Sequence, residues 1–536
     1  MKRIPADEST FLENTEATSR KLVIDPVFLW PSAISRSVPI KIALALTSAL
    51  LLIVSLPAPD VGWLAWVALA PLLVACYNST PSGAAGLGFL SGFSAAYGIY
   101  HWIFVIESFT FIHSLLGGIY LASYPCLWCL GVSFLTRRKI SPAFAAPMLW
   151  VVLDYARAHA GFLAFPWATL AQTQHHHLAV LQIASLTGEY GVTFLVVLGN
   201  AALAALVVER KIRPLITAIA IISVACAAGA WVLHDHARGP MVRVAAIQPN
   251  VTDEQRSTPA GRETALVSHE RLTRFAAQRA PALIVWPETA VPGNFSLHPQ
   301  LRERLEALTR SVGVPIVLGV SEIEKFRMGE MKPDSLRRAY NAAYMFFPDQ
   351  PLGEPYHKRA LVPFGEYLPL EGVIEWPQWF VRQTYQTVQG DEPHLFTLSD
   401  GTKIGPIICW ENLFAGLVRD SVRAGAQVMV QLTNDASFGA TEEPWQHNLA
   451  SVLRAVENRV PIVIASNTGP SQIIDGYGRI VGPRQIFTQE VVMGEVARRE
   501  GGTVYTLVGD LFVFFLGGAL IIQCLWLLIC RRGATA

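Results

Sequence analysis

Apolar residues are segregated along this chain, and that segregation limits the possible folds more than any motif does. Between residues 40 and 233, apolar segments follow one another at close to the ~20 residues that a bilayer core demands. A polar stretch of about 270 residues follows, and one more apolar segment lies near the end. The segments fall at 40–57, 61–77, 83–106, 115–135, 142–158, 178–208, 214–233 and 507–530. They predict an all-α transmembrane bundle of about eight helices, with a second domain inserted before the last. Pro71 is expected to kink the 61–77 segment. The 178–208 segment is too long for one straight crossing and is expected to begin with an interfacial stretch. Residues 1–39 have no apolar run close to Met1, which argues against a cleaved signal peptide.

Charge places the domains. Arg137, Arg138 and Lys139 follow the fourth segment; Arg210, Lys211 and Arg213 follow the sixth; Arg531 and Arg532 follow the eighth. With eight crossings these clusters share one side with the N-terminus, Arg36 and Lys41, and the positive-inside rule makes that side the cytoplasm. The expected organisation is a cytoplasmic segment at 1–39, a transmembrane bundle at 40–233, an outward-facing domain at 234–506, and a final span with a cytoplasmic tail at 507–536. Only 15% of residues are charged, against ~25% in soluble proteins, and the net charge is +1. No basic stripe is present, so a nucleic-acid partner is not expected.

The outward segment has a different texture. Short apolar runs of strand length recur at Val242–Gln248, Ala282–Trp286, Pro315–Val320, Ala342–Phe347, Ile404–Cys409, Gln427–Leu432 and Pro461–Ser466. A hairpin is expected across 471–481, turning at Asp475-Gly476-Tyr477-Gly478. Helical patterns intervene at Arg262–Arg279, Leu301–Ser311, Leu413–Ala424 and Trp445–Asn458. Strands alternating with helices predict an α/β domain.

Three residues in it carry candidate chemistry. Cys409 is the only cysteine of the polar domain; Cys76, Cys126, Cys129, Cys226, Cys524 and Cys530 lie in or beside apolar segments, so no disulfide framework is expected. It ends the run Gly405-Pro406-Ile407-Ile408, just before a probable helix start, where a helix N-terminus and a nearby cation would favour thiolate. The alternative is a small buried hydrophobe. Glu288 ends Leu283-Ile284-Val285-Trp286-Pro287 and is either a strand-end cap or a base whose pKa is raised by its apolar wall. Lys358, in Tyr356-His357-Lys358-Arg359, is a cation or part of a solvated basic loop.

In this order, Glu288 in a Trp-Pro-Glu context, Lys358 after a histidine and Cys409 before Trp410-Glu411 resemble the Glu-Lys-Cys triad of the nitrilase superfamily. The run from Leu361 to Pro369, the run from Leu432 to Gly439, and Pro444-Trp445-Gln446-His447 resemble motifs of bacterial apolipoprotein N-acyltransferases. Arg454, Glu457, Arg459 and Asn467-Thr468-Gly469 extend the match. Gly88–Trp102 and Phe165-Pro166-Trp167 resemble the family's membrane motifs. Two positions depart from its pattern: Trp410 stands where a tyrosine or phenylalanine is usual, and Ser437 where a tryptophan is common.

The resemblance implies a nitrilase-like αββα sandwich carried by a bacterial inner-membrane bundle and facing the periplasm. It implies ping-pong acyl transfer from a phospholipid to the N-terminal diacylglyceryl-cysteine of an apolipoprotein, with Cys409 as nucleophile, Glu288 as base and Lys358 as oxyanion partner. Glu366 would order the lysine or the incoming amine, and Trp410 and Glu411 would shape the pocket. No cofactor or metal is implied, and the protein is expected to act as a monomer. The rival readings are a membrane-tethered amidase or nitrilase-type C–N hydrolase, and a divergent N-acyltransferase acting on another amine.

Other polar groups receive structural readings. His175-His176-His177 is read as a polar interfacial loop, and His447 as a helix-start residue. Asp154, Arg157 and His159 are read as snorkelling at the interface. Glu189, within the sixth segment, is read as marking that interface rather than as paired. Cys126-Leu127-Trp128-Cys129 has redox or metal spacing but no nearby histidine or further cysteine.

Overall fold

The structure, a computed structural model, describes residues 37–106, 109–234, 239–323, 337–377, 385–498 and 502–533. Most of the expected 1–39 segment, Arg36 included, lies outside these residues, as do the side chains of Arg531 and Arg532.

Helices cover each apolar segment, but their lengths differ. Among the described residues, three are long and apolar enough to cross a membrane: Phe111–Thr136, Glu189–Glu209 and Ile212–His234. Val38–Val54 has 17 residues and reaches only about 25 Å at 1.5 Å per residue, short of a ~30 Å hydrocarbon core. The 61–77 segment breaks as expected, into Gly62–Leu64, Ala65–Ala68 and Ala70–Cys76. Asn200 stabilises the break: its Oδ1 accepts from the Leu69 and Ala70 N–H groups at 2.7 and 3.0 Å, and its Nδ2 donates to the Ala65 carbonyl at 2.8 Å. The 178–208 segment begins with two short turns, Leu178–Leu181 and Ala184–Thr187. It then bends at Gly188 (φ +68°) into the long Glu189–Glu209 helix. The Pro81–Ile99 helix packs closely on Phe111–Thr136, where a Cβ at Gly92 would sit 2.8 Å from the Pro125 ring. Small residues permit that approach in place of a hydrophobic driving force between helices.

The second domain is built on two sheets. Its strands are β1 (Met241–Gln248), β2 (Leu283–Val285), β3 (Val291–Asn294), β4 (Ile316–Ile323), β5 (Arg337–Phe346), β6 (Tyr356–His357), β7 (Tyr385–Thr387), β8 (Phe396–Thr397), β9 (Lys403–Ile408), β10 (Val428–Thr433), β11 (Ile462–Ser466), β12 (Gln472–Ile474), β13 (Ile480–Val481) and β14 (Glu490–Ala497). One sheet runs β14-β1-β2-β4-β5-β6, with β3 on β4 and β7 on β5; the other runs β13-β12-β11-β10-β9-β8. Because side chains alternate along a strand, each sheet has two buried faces. Ile404 and Ile408 of β9, Val428, Val430 and Leu432 of β10, and Val463 and Ala465 of β11 meet Val244, Ala246, Val285 and Val317 of the first sheet. Ile407, Met429, Ile462 and Ile464 point the other way, onto Val418, Val422, Val452, Leu453 and Val456 of the Ala415–Arg423 and Glu443–Asn458 helices. Leu266, Leu272, Leu305 and Leu308 of the Pro259–Ala277 and Pro299–Val312 helices cover the outer face of the first sheet. The layers are therefore helix, sheet, sheet, helix.

The helix layer on the second sheet also packs against Ala171, Leu181, Ala184 and Val192 of the helical half. The expected hairpin forms as β12 and β13. The short strands β3, β6, β7 and β8 were not expected, nor was the longer β14, which pairs antiparallel with β1 along eight positions, Met241 opposite Ala497 to Gln248 opposite Glu490. Its sequence, with two glutamates and Gly494 among apolar residues, carries no uninterrupted run.

Several interfacial readings need correction. His175 is buried rather than lying in an open polar loop. Asp154 and Arg157 do not snorkel outward; they pair at 3.0 Å and line a cavity of about 90 Å³ with Tyr100, Tyr124 and Thr169. His159 is exposed and stacks on Tyr155. Glu189 does not mark an interface: it is buried and pairs with Arg454 at 3.3 Å. Low dielectric makes an unpaired carboxylate there costly, so the partner is needed.

Candidate active site

Each of the three residues singled out from sequence follows a strand. Glu288 lies just past β2, beyond Trp286, whose indole N–H donates to Thr273 at 2.8 Å. Its backbone presses on β4 at Gly319, where a Cβ would sit 2.7 Å from the Glu288 Cα, so only glycine fits. Arg256 holds the same turn through the carbonyl of Thr289 (2.9 Å). Lys358 follows β6; its N–H donates to Asn341 of β5 at 2.9 Å, and its carbonyl accepts from Gly390 at 2.8 Å. Cys409 leaves β9 at φ +53° and opens the Cys409–Leu413 turn. A non-glycine residue in that region costs on the order of 1–3 kcal/mol and persists only when its surroundings over-determine it.

Those surroundings are identifiable. Glu411 is fully buried and its carboxylate accepts from the Ile408 N–H (2.7 Å), the Arg359 N–H (2.5 Å), the Ala360 N–H (3.0 Å) and the Tyr356 hydroxyl (2.8 Å). One side chain thus ties the segment after Lys358 to the end of the strand before Cys409. The Trp410 indole N–H adds a second tie, to the Ala360 carbonyl at 2.8 Å. Glu411 therefore fixes backbone.

The side chains converge on Lys358. Its Nζ, buried, lies 2.9 Å from Glu366 Oε1 and 3.6 Å from Glu288 Oε1. Asn341 bridges the two acids, donating to Glu288 at 2.7 Å and to Glu366 at 3.3 Å. Burial alone would lower the Lys358 pKa, but Glu366, Glu288 and Cys409 outweigh it and hold the ammonium above its usual value. Glu288 is raised by burial, with Glu366 adding to that and Lys358 and Asn341 opposing. Cys409 is pushed well above the usual thiol value by burial and then by Glu288, with Lys358 the opposing charge and Asp435 and Glu366 adding to the rise. This corrects the expectation of a stabilised thiolate: Lys358 is outweighed by burial and by the surrounding carboxylates, which favour the protonated thiol.

Asp435, near enough to bias Cys409, accepts from Thr433 at 3.1 Å and lies 3.1 Å from His447 Nδ1. His447 is buried on the Glu443–Asn458 helix and stacks on Trp167. Asp435, Glu443 and His447 bring three ligand-type atoms within 4.8 Å of one another. Burial, with Asp435 adding to it, raises the Glu443 carboxyl well above its usual value.

Three contributors were not assigned from sequence. Asn341 sits in an ordinary strand, and nothing in its neighbourhood distinguishes it. Gln446 lies in the Pro-Trp-Gln-His run but had no stated role; its Oε1 accepts from the Trp102 and Trp167 indoles at 3.1 and 3.2 Å, and its Nε2 donates to Pro57 (3.0 Å) and Ile99 (3.2 Å) carbonyls. Arg454 pairs with Glu457 at 2.8 Å and Glu189 at 3.3 Å, and donates to the Leu413 carbonyl that ends the Cys409 turn, at 3.1 Å.

Residues 48–202 match the family described as the apolipoprotein N-acyltransferase N-terminal domain, and residues 243–505 match the carbon-nitrogen hydrolase family. An apolipoprotein N-acyltransferase of Geobacter metallireducens is 35% identical over 503 residues, 90% of this chain and 94% of that protein. One from Methylococcus capsulatus is 32% identical over 497 residues, 87% and 92% of the two chains. An amidase of Nesterenkonia sp. aligns with 49% of this chain and 93% of its own at 18% identity and a TM-score of 0.37. Likeness to these acyltransferases running through both halves of the chain fixes the relationship: the chain belongs to the apolipoprotein N-acyltransferase family.

Proposed function

We propose that this protein N-acylates the N-terminal S-diacylglyceryl-cysteine of apolipoproteins, using a phospholipid as donor and Cys409 as a transient acyl carrier. The observation that carries the reading is the convergence of Cys409 with the buried Glu288 and Lys358, from three separate elements. Glu288 takes the thiol proton as Cys409 attacks the ester carbonyl of the phospholipid. Lys358, held charged by Glu366 and Glu288, stabilises the oxyanion together with a backbone N–H near Cys409, each donor contributing about 3 kcal/mol. The lysophospholipid leaves with the proton returned by Glu288, and a thioester remains. The α-amino group of the lipoprotein then attacks, Glu288 accepts its proton, and the amide product leaves the free thiol.

A neutral resting thiol suits this sequence, because the base is beside it and deprotonation coincides with attack. Glu366 acts by holding Lys358, and Trp410 and Glu411 by fixing the turn. The proposed organisation remains 1–39, 40–233, 234–506 and 507–536, with about eight spans, a single working copy, and the catalytic domain on the periplasmic face of the bacterial inner membrane. Supporting that orientation, Arg137, Lys139 and Lys211 line one cleft with Tyr77 and Ser79. Ile99, Trp102 and Trp167, by contrast, meet Gln446 of the α/β domain. Donor and acceptor are both membrane-anchored, so a tethered site searches a surface rather than a volume.

A second reading, hydrolysis of a C–N bond or of the acyl-enzyme by water, is favoured by the carbon-nitrogen hydrolase match at 243–505. Phospholipid with a labelled acyl chain, incubated with a diacylglyceryl-cysteine peptide, separates the two. Label in the peptide amide is the expected result; label only in free fatty acid supports the hydrolase.

A further inference from the structure

Away from the candidate active site, three metal-type ligands meet where the helical half faces the α/β domain. Asp60 stands in the turn between Val38–Val54 and Gly62–Leu64, held at φ +60°. His175 Nε2 lies 3.4 Å from its Oδ1, and His176 Nε2 lies 3.0 Å from its Oδ2. The ligand atoms of all three lie within 4.8 Å of one another. Arg484 of the α/β domain approaches Oδ2 at 3.0 Å. Oδ1 is buried and accepts no hydrogen bond, on a side chain only 8% exposed.

The geometry of His175 sharpens the case. Its Nδ1 lies 3.1 Å from the Gln172 carbonyl; a carbonyl only accepts, so Nδ1 carries the hydrogen. In the neutral ring Nε2 is then a bare lone pair facing a carboxylate oxygen. Two acceptors face each other at that distance only with a cation between them, either a proton on Nε2 or a metal ion. The Nδ1–H to carbonyl bond is also the arrangement that fixes the tautomer and orientation of a metal-ligating histidine. Bonds of about 2.0–2.2 Å to nitrogen and oxygen place neighbouring ligand atoms of a tetrahedral zinc ion about 3.3 Å apart, close to the 3.4 and 3.0 Å at which each histidine faces its own carboxylate oxygen.

We propose that Asp60, His175 and His176 bind one divalent ion of the zinc class, with solvent in the remaining position. Access is open: His176 is 51% exposed, and both histidines line a cleft of about 380 Å³ with Pro57, Trp445, Arg479 and Arg484. A bound ion would join the Asp60 turn to the histidine segment beside the domain contact made by Arg484. Its role would be structural, because the ligands are not those of the acyl-transfer site.

The test uses the full chain, purified in detergent without a polyhistidine tag and stripped of metal. Zn²⁺ alone is titrated by equilibrium dialysis, and Co²⁺ alone is followed by its visible absorption. One ion per chain is expected, with the intense d–d bands of a tetrahedral cobalt site. Asp60→Asn and His176→Gln should each weaken uptake at least about tenfold and abolish the cobalt bands; His176, being exposed, can be changed without disturbing packing. No uptake by the wild type, or uptake that both variants leave unchanged, overturns the proposal.

Discussion

At the residue scale, the chemistry depends on an imbalance of charge around Cys409. Lys358 is one cation among Glu288, Glu366 and Asp435, and burial amplifies each interaction. On the proposed mechanism, activity requires an ionised Glu288 beside a neutral thiol. Because burial raises the Glu288 pKa, the rate should fall as pH drops through a value above the ordinary carboxylate range. Glu366 contributes to that rise, so Glu366→Gln should move the acid limb of the kcat/KM profile to lower pH, while an unmoved limb would separate Glu366 from the base. Glu288→Gln should lower kcat about 10²–10⁴-fold, read as the rate of acyl-enzyme formation. With no preformed thiolate, iodoacetamide should label Cys409 slowly at neutral pH and faster as pH rises through the thiol's raised pKa. Rapid labelling at neutral pH would contradict the assignment.

At the scale of elements, the fixed object is the turn rather than the sulfur. Glu411 satisfies three backbone N–H groups and a tyrosine hydroxyl, and hydrogen bonds to a charged group contribute about 1.5–3 kcal/mol each. Glu411→Gln retains a single acceptor oxygen and should destabilise the protein by roughly 2–4 kcal/mol, measured by thermal unfolding in detergent. The strands before Glu288 and Cys409 were legible because their two buried faces produce continuous apolar runs, Val285 before Glu288 and Ile408 before Cys409, whereas the two-residue β6 before Lys358 was not. β14 was not legible, because it forms an edge against β1 with glutamates on its open positions. The state of the thiol was not legible either. A helix-start position suggested thiolate, whereas the acids that oppose it come from elements far away in sequence.

At the scale of the whole molecule, polar hubs join the two halves. Gln446 reaches Trp102 across 344 residues and Trp167 across 279, and Arg454 ties the buried Glu189 of the helical half to Leu413 at the end of the Cys409 turn. No local pattern announces such residues, since their partners lie in another domain; hydropathy could place Glu189 in an apolar segment but could not supply its arginine. Removing Arg454 leaves Glu189 and Glu457 as buried charges without a cation. Arg454→Met should therefore cost roughly 3–5 kcal/mol, visible as a lower unfolding temperature; a change of less than 1 kcal/mol, about the value of an exposed pair, would contradict its role.

The central claim, that Cys409 carries the acyl group taken from a membrane lipid, is tested most directly by mass spectrometry of the protein after incubation with phospholipid alone. The account predicts a hydroxylamine-sensitive gain of one acyl chain, mapped to the peptide containing Cys409 and absent from Cys409→Ala. An unmodified Cys409 under conditions where the enzyme goes on to acylate a lipopeptide would contradict it.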